Sequence, residues 1–112
     1  MFDPKKMTFY KRFTKDILAG SKTITIRDSS ESHYKADTIV EVRELETGRL
    51  FTHIKINSVQ PIHFNELTER HAKQENMSLP MLQKVIADIY PNIKNLYVID
   101  FNLCPTAEPE IV

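Results

Sequence analysis

GSKTITIR, residues Gly20 to Arg27, sets one glycine before a lysine and then alternates threonine with isoleucine up to an arginine. Alternation with a period of two and enrichment in β-branched residues mark a half-buried strand. On that reading Ile24 and Ile26 share one face and enter a core, while Thr23, Thr25 and Arg27 share the other. Lys22 stands three residues from Thr25, so a regular strand would put the two on opposite faces. The reading therefore places Lys22 in the turn that Gly20 permits, with its long side chain reaching towards Thr25.

Working outward, TFYKRFTKDILAG (residues 8–20) spaces Phe9, Phe13 and Ile17 four apart. That spacing predicts a helix over 9–19, with Thr8 as its N-cap and Gly20 as its C-terminal stop. DSSESHYKAD (28–37) is polar and aperiodic and reads as a loop. TIVEVREL (38–45) and LFTHIKINSVQPI (50–62) read as the strands of a hairpin closed by the glycine turn ETGR. Two helices follow, NELTERHAKQEN (65–76) opened by Asn65, and SLPMLQKVIADIY (78–90), with Ser78 as N-cap, Pro80 in its first turn and Pro91 beyond its end. LYVIDFNLC (96–104) is a last strand, and PTAEPEIV (105–112) reads as a mobile tail. Strands with helices inserted in no regular βαβ order predict an α+β domain on a small curled sheet or barrel; closure cannot be read from periodicity.

The whole chain sets bounds on this reading. Its 112 residues suffice for one domain with one modest core. Fifteen basic residues balance 15 acidic ones, which argues against tight, phosphate-driven binding of nucleic acid. A single cysteine, Cys104, and the absence of a leader pattern point to the reducing cytoplasm. No apolar run approaches the roughly 20 residues that span a bilayer. With only two glycines there is no loop to cradle a triphosphate.

Few residues are candidates for chemistry. A threonine hydroxyl becomes a nucleophile when a base removes its proton, and Lys22 is available to Thr25. An unperturbed lysine, with a pKa of about 10.4, is a poor base at neutral pH, so burial or the charge of Arg27 would have to lower it. The plainer alternatives are a solvated lysine and a threonine kept for its branched shape. Glu75, at the end of its helix, gains nothing from the helix dipole; it is either a solvated carboxylate or a general acid kept protonated by burial. His71 lies four residues before Glu75, yet no HExxH or cysteine cluster supports a metal, and no cofactor is expected. His33, His53 and His63 are scattered, and Cys104 reads as a packed thiol.

Gly20, Lys22 and Arg27 match the GxKxxxxR signature of ASCH domains, a PUA-like β-barrel superfamily linked to RNA. More narrowly, FTKDILAGSKTITIRDSSESHYK, LTERHAKQENMSL and KVIADIYP resemble the small bacterial N(4)-acetylcytidine amidohydrolases of the YqfB type, over about residues 7–104. The resemblance implies a small PUA-like (ASCH) β-barrel with inserted helices, residues 1–104 forming one domain before a flexible tail at 105–112. It implies removal of the acetyl group from N4-acetylcytidine, with Lys22 as proton acceptor, Thr25 as nucleophile and Glu75 as proton donor. Arg27 would meet the oxyanion or the base O2, or else pair with Asp28 or Glu31, and Tyr34 or His33 would stack on the pyrimidine. A monomer acting on a free nucleoside is expected. The competing readings are a non-catalytic RNA-binding module and a ribonuclease; the neutral charge disfavours the first, and a threonine nucleophile has no purpose in the second. Ala36, where a turn glycine is common, and the segment after Cys104 depart from the pattern.

Overall fold

The computed structural model describes residues 5–104. The expectations placed on residues 1–4 and on the tail at 105–112 lie outside the described residues. The order of elements is β1 (Lys6–Phe9), a 3-10 turn (Lys11–Phe13), α1 (Thr14–Leu18), β2 (Ile24–Arg27), a 3-10 turn (Ser29–Glu31), β3 (Ile39–Glu44), β4 (Leu50–His63), a 3-10 turn (Phe64–Glu66), α2 (Glu69–Gln74), α3 (Leu79–Ile89) and β5 (Asn95–Leu103). The five strands form one mixed sheet in the order β1-β3-β4-β5-β2, with β1 parallel to β3 and the other pairs antiparallel. The α+β class stands, on an open strand order: among the described residues no ladder joins β1 to β2.

The predicted helix over 9–19 is half right. Phe9 ends a strand in which Met7 and Phe9 are buried while Lys6 and Thr8 face out, and helix occupies only Thr14–Leu18. The parallel ladder from Lys6↔Glu41 to Phe9↔Glu44 overrides the local four-residue spacing, as tertiary pairing commonly does. The spacing itself was real: Phe9 and Ile17 are core residues and Phe13 packs against them. The helix assigned to 65–76 also starts late, at Glu69 behind Thr68, because Leu67 turns extended (φ −65°, ψ 137°) to bury its side chain under α2 and α3. Ser78 caps α3 by accepting a hydrogen bond from the Met81 N–H at 3.3 Å, as its sequence predicts.

The hairpin also forms as read. Gly48 takes φ +74°, and its N–H donates to Glu44 O at 2.8 Å. The left-handed residue in KAD is Asp37 (φ 64°), not Ala36. β4 shifts register between Ile56 and Ser58, a bulge; β3 pairs with it over Leu50 to Lys55 and β5 over Ile54 to His63, so the two partners overlap at Ile54 and Lys55. Two apolar clusters result. One gathers Met7, Phe9, Ile17, Val40, Val42, Ile54, Ile56, Ile99 and Phe101; the other packs Ile24 and Ile26 against Leu67, Ala72, Leu82 and Ile86 of the helical side. β2 is buried on both faces rather than one, since Thr25 lies opposite Ile99 on the first cluster's side while Ile26 lies opposite Val98 on the second's.

Glu44, 1% exposed at the end of β3, fastens α1 to the hairpin turn. Its carboxylate accepts hydrogen bonds from Arg49 Nη2 (2.8 Å), Thr47 Oγ1 (2.8 Å) and Thr14 Oγ1 (3.1 Å). The Arg49 hydrogen bond, then that of Thr47, hold its pKa well below the usual carboxylate range, at about 2. A depressed folded-state pKa means that this contribution to stability is complete above the unfolded value, about 4.3, and is lost as the pH falls towards 2. Urea midpoints should therefore place Glu44→Gln below the unsubstituted protein at pH 7, with the gap narrowing as the pH is lowered from 5 towards 2. A gap independent of pH would show that the charge of Glu44 contributes nothing.

Candidate active site

Three chain segments converge where β2 begins. Gly20 ends α1 at φ +77°, and the N–H groups of Ser21 and Lys22 both donate to Asp16 O, at 2.9 and 3.1 Å. This tight turn delivers Lys22 just before the strand, as its sequence predicts. The Thr23 N–H then donates to Gln74 O at 2.8 Å, while Thr23 O accepts from the Phe101 N–H at 3.0 Å. One residue thus clamps the end of α2 to the sheet, and the next residue of that helix, Glu75, its C-cap, comes to lie beside Lys22. Asn76, left-handed at φ 59°, adds a hydrogen bond from Nδ2 to Asp16 Oδ1 at 3.2 Å.

Lys22 and Glu75 are 3% and 5% exposed and form a hydrogen-bonded ion pair between Nζ and Oε1. Nζ also donates to Ile24 O at 2.9 Å and lies over the rings of Phe13 (4.9 Å) and Phe9 (5.5 Å). Burial lowers the pKa of Lys22 and Arg27 lowers it further, against the opposing effect of the Glu75 carboxylate. Thr25 Oγ1 accepts from Arg27 Nε at 2.8 Å; the hydrogen bonds of Lys22 run to Ile24 and Glu75 rather than to Thr25. Arg27 makes the ion pair with Glu31 that was one reading of its sequence context, Nη1 to Oε1 at 2.8 Å.

Lys22, Thr25, Arg27 and Glu75 line one open cleft. β1 and the turn after it give Thr8, Phe9, Tyr10 and Phe13; β2 and its approach give Lys22, Thr25, Ile26 and Arg27; Glu75 and Met77 follow α2. An apolar wall comes from α3, with Leu82, Val85, Ile86, Ile89 and then Tyr90. Burial pushes the Tyr90 hydroxyl up to about 12, so it keeps its proton and can donate.

Lys22, Thr25, Arg27 and Glu75 are brought together. Tyr34 is not: its ring belongs to the first core cluster, and its hydroxyl donates to Lys6 O at 2.7 Å. His33 packs against that ring at 4.2 Å and does not line the cleft either. The aromatic surface of the cleft comes instead from Phe9, Tyr10, Phe13 and Tyr90, which the sequence reading did not select. The four-residue spacing of Phe9 and Phe13 signalled burial, but not against a lysine. Among the described residues no group of three or more His, Cys, Asp or Glu side chains is arranged to hold a metal ion, and no helix is long and apolar enough to cross a membrane.

The ASCH domain model matches residues 1–90. A crystal structure of an ASCH domain from Lactobacillus crispatus superposes with a TM-score of 0.72 at 16% identity, covering 88% of this chain and 79% of that one. The ASCH protein of Zymomonas mobilis gives 0.71 at 14% identity, covering 89% and 68%. The chain belongs to the ASCH domain family. Among full-length relatives, it is 59% identical over 101 residues to a Vibrio vulnificus (strain YJ016) protein named N(4)-acetylcytidine amidohydrolase, covering 90% of this chain and 97% of the relative. A protein of the same name from Haemophilus influenzae (strain 86-028NP) is 55% identical, covering 89% and 96%. Within the ASCH family, the chain therefore falls among the N(4)-acetylcytidine amidohydrolases, which are hydrolases.

Removing one member of a buried ion pair strands the other, at a typical cost of about 3–5 kcal/mol, whereas replacing both with apolar groups is often neutral. Glu75→Ala should therefore be strongly destabilised at pH 7. A buried lysine without its counter-ion binds its proton more weakly than the unfolded chain does, so this variant should regain stability as the pH rises towards 10. Lys22→Met combined with Glu75→Leu should recover most of the loss. Urea unfolding checks all three outcomes; a Glu75→Ala variant as stable as the parent would mean that the pair is hydrated and loosely held.

Proposed function

We propose that the chain hydrolyses the acetyl amide of N4-acetylcytidine to cytidine and acetate, with Thr25 as nucleophile, Lys22 as proton acceptor and Glu75 as proton donor. The observation that carries this reading is a buried lysine–glutamate pair sharing a cleft with a hydroxyl nucleophile, in a chain 59% identical to a protein named for that hydrolysis.

An ammonium beside a carboxylate and an amine beside a carboxylic acid contain the same protons. The reactive form thus needs only a proton shift along the Lys22–Glu75 hydrogen bond, which burial favours by weakening the hold of Lys22 on its proton. On substrate binding Lys22 exchanges the Ile24 carbonyl for Thr25 Oγ1; catalytic contacts commonly tighten only at that stage. Oγ1 bonds to the acetyl carbon as its proton passes to Lys22. The tetrahedral intermediate then collapses, the C–N bond breaks, and Glu75 gives its proton to the exocyclic nitrogen, which leaves as the amine of cytidine. Water next attacks the acetyl ester and loses a proton to Glu75. The ester C–O bond breaks, Lys22 returns its proton to Oγ1, and acetic acid departs and ionises in solvent. Arg27 has five N–H groups, three of them engaged with Thr25, Glu31 and Thr8, and the remaining two serve the oxyanion or the base O2.

Proton delivery to a poor leaving group typically contributes about 10²- to 10⁴-fold. Thr25→Ala should lose turnover by at least about 10³-fold with its circular dichroism unchanged, while Thr25→Ser retains some activity. Lys22→Arg should be as inactive as Lys22→Ala, because arginine does not deprotonate in proteins. Chromatographic release of cytidine and acetate from N4-acetylcytidine measures each variant. Turnover of the nucleoside should change little between low and moderate salt. No turnover by the parent protein, alongside tight and steeply salt-dependent RNA binding, would favour an RNA-binding module instead.

A further inference from the structure

Arg27 is fixed at every nitrogen. Nε donates to Thr25 Oγ1, Nη1 to Glu31 Oε1 and Nη2 to Thr8 O, each at 2.8 Å, and the guanidinium carbon lies 4.8 Å from the centre of the Phe9 ring. Glu31 belongs to the 3-10 turn Ser29–Glu31, whose shape is set by Asp28: its Oδ1 accepts from Ser30 N (3.1 Å) and Ser30 Oγ (2.6 Å), and its carbonyl from Glu31 N (3.1 Å). Glu31 is not among the residues lining the cleft.

We infer that Glu31 is a positioning residue for the hydrolysis, holding the Arg27 guanidinium so that its Nε–H is aimed at Thr25 Oγ1. The inference rests on the reaction proposed above. A guanidinium is a rigid plane of donors, so anchoring Nη1 on Glu31 and Nη2 on the Thr8 carbonyl fixes where Nε–H points. Because Nε can only donate, Oγ1 must receive it through a lone pair, which turns the hydroxyl hydrogen away from Arg27 and leaves it available to a base. As that hydrogen departs, the charge growing on Oγ1 meets a cationic donor already in place. Without Glu31, Nη1 loses its anchor, the guanidinium plane can rotate, and both effects weaken although every group proposed to touch the substrate is still present.

The test compares Glu31→Ala, Glu31→Gln and Glu31→Asp with the parent on N4-acetylcytidine, together with their thermal midpoints. Small misplacements at a reacting centre cost up to about 10²-fold, so Glu31→Ala should lower kcat by about 10- to 100-fold, with KM within about twofold, and the thermal midpoints should show each variant folded at the assay temperature. Glu31→Gln, whose amide oxygen still accepts from Nη1, should recover most of kcat. Glu31→Asp, one methylene shorter, should behave like the alanine variant and takes its place if that one does not fold. Parental kcat in the alanine or aspartate variant, a change confined to KM, or a glutamine variant no better than alanine would each overturn the inference. Absence of turnover in the parent itself would count against the proposed reaction, whereas turnover indifferent to Glu31 counts against this inference alone.

Discussion

Taking a lysine ammonium and a glutamate carboxylate out of water costs several kcal/mol per ion, and that cost is recovered only where geometry holds the two together and further hydrogen bonds satisfy them. Lys22 and Glu75 come from segments 53 positions apart, and the surrounding backbone is arranged around their meeting. The turn at Gly20 brings Lys22 in, the Thr23 clamp on Gln74 O brings the end of α2 in, and Asn76 ties that end back to Asp16. Two phenylalanine faces and the Ile24 carbonyl complete the surroundings of the ammonium. Loosening any one of these supports would let water reach the pair and return Lys22 towards the ordinary lysine, which is fully protonated at neutral pH.

The edges of the sheet explain why there is a cleft at all. β1 and β2 end the strand order on opposite sides, and among the described residues no backbone ladder closes them. Open edges ordinarily invite pairing with another chain. Here a side chain crosses the gap: Arg27 on β2 reaches the backbone carbonyl of Thr8 on β1. A guanidinium spans more distance than a ladder hydrogen bond, so the edges are joined while space remains between them. Thr8, Phe9, Thr25 and Arg27 all line that space. The arginine of the GxKxxxxR pattern therefore has a task in the fold, bridging the edges, as well as its contact with Thr25.

Much of this was legible in GSKTITIR. The inward isoleucines, the turn that offsets Lys22 from its strand and the shared face of Thr25 and Arg27 follow from period-two geometry and one glycine. Local rules could not reveal that the opposite face is buried too, because that depends on strand order: Thr25 sits across from Ile99, above a core assembled from β1, β3 and β4. Phe9 was assigned to a helix since its spacing suited one, and only the parallel pairing with β3, some 35 residues away, makes it a strand residue. Tyr34 illustrates the reverse error. An aromatic in a polar loop suggests a base-stacking surface, yet this one is anchored in the core by Lys6 O, which no sequence spacing encodes. Tyr90 went unnoticed as a cleft residue because its place depends on how α3 packs across β2.

Two acid–cation pairs flank the proposed nucleophile, and their chemistry differs in a way that suits the two tasks. Lys22 can give up its proton, and burial presses it to do so; in the proposed mechanism a proton moves between Lys22 and Glu75 without any change in the net charge of the pair. Arginine does not release its proton in proteins, so Arg27 remains a cation throughout and Glu31 acts on it only through geometry and fixed charge. Exchanging the two cations would give a cleft with a comparable overall charge and hydrogen-bonding capacity. The proposed base position would then hold a group unable to accept a proton, and the proposed orienting position a flexible ammonium without the planar fork that reaches Thr8, Thr25 and Glu31 together. On the proposed mechanism, the order of lysine before the strand and arginine at its end answers to proton chemistry at one site and to rigid donor geometry at the other.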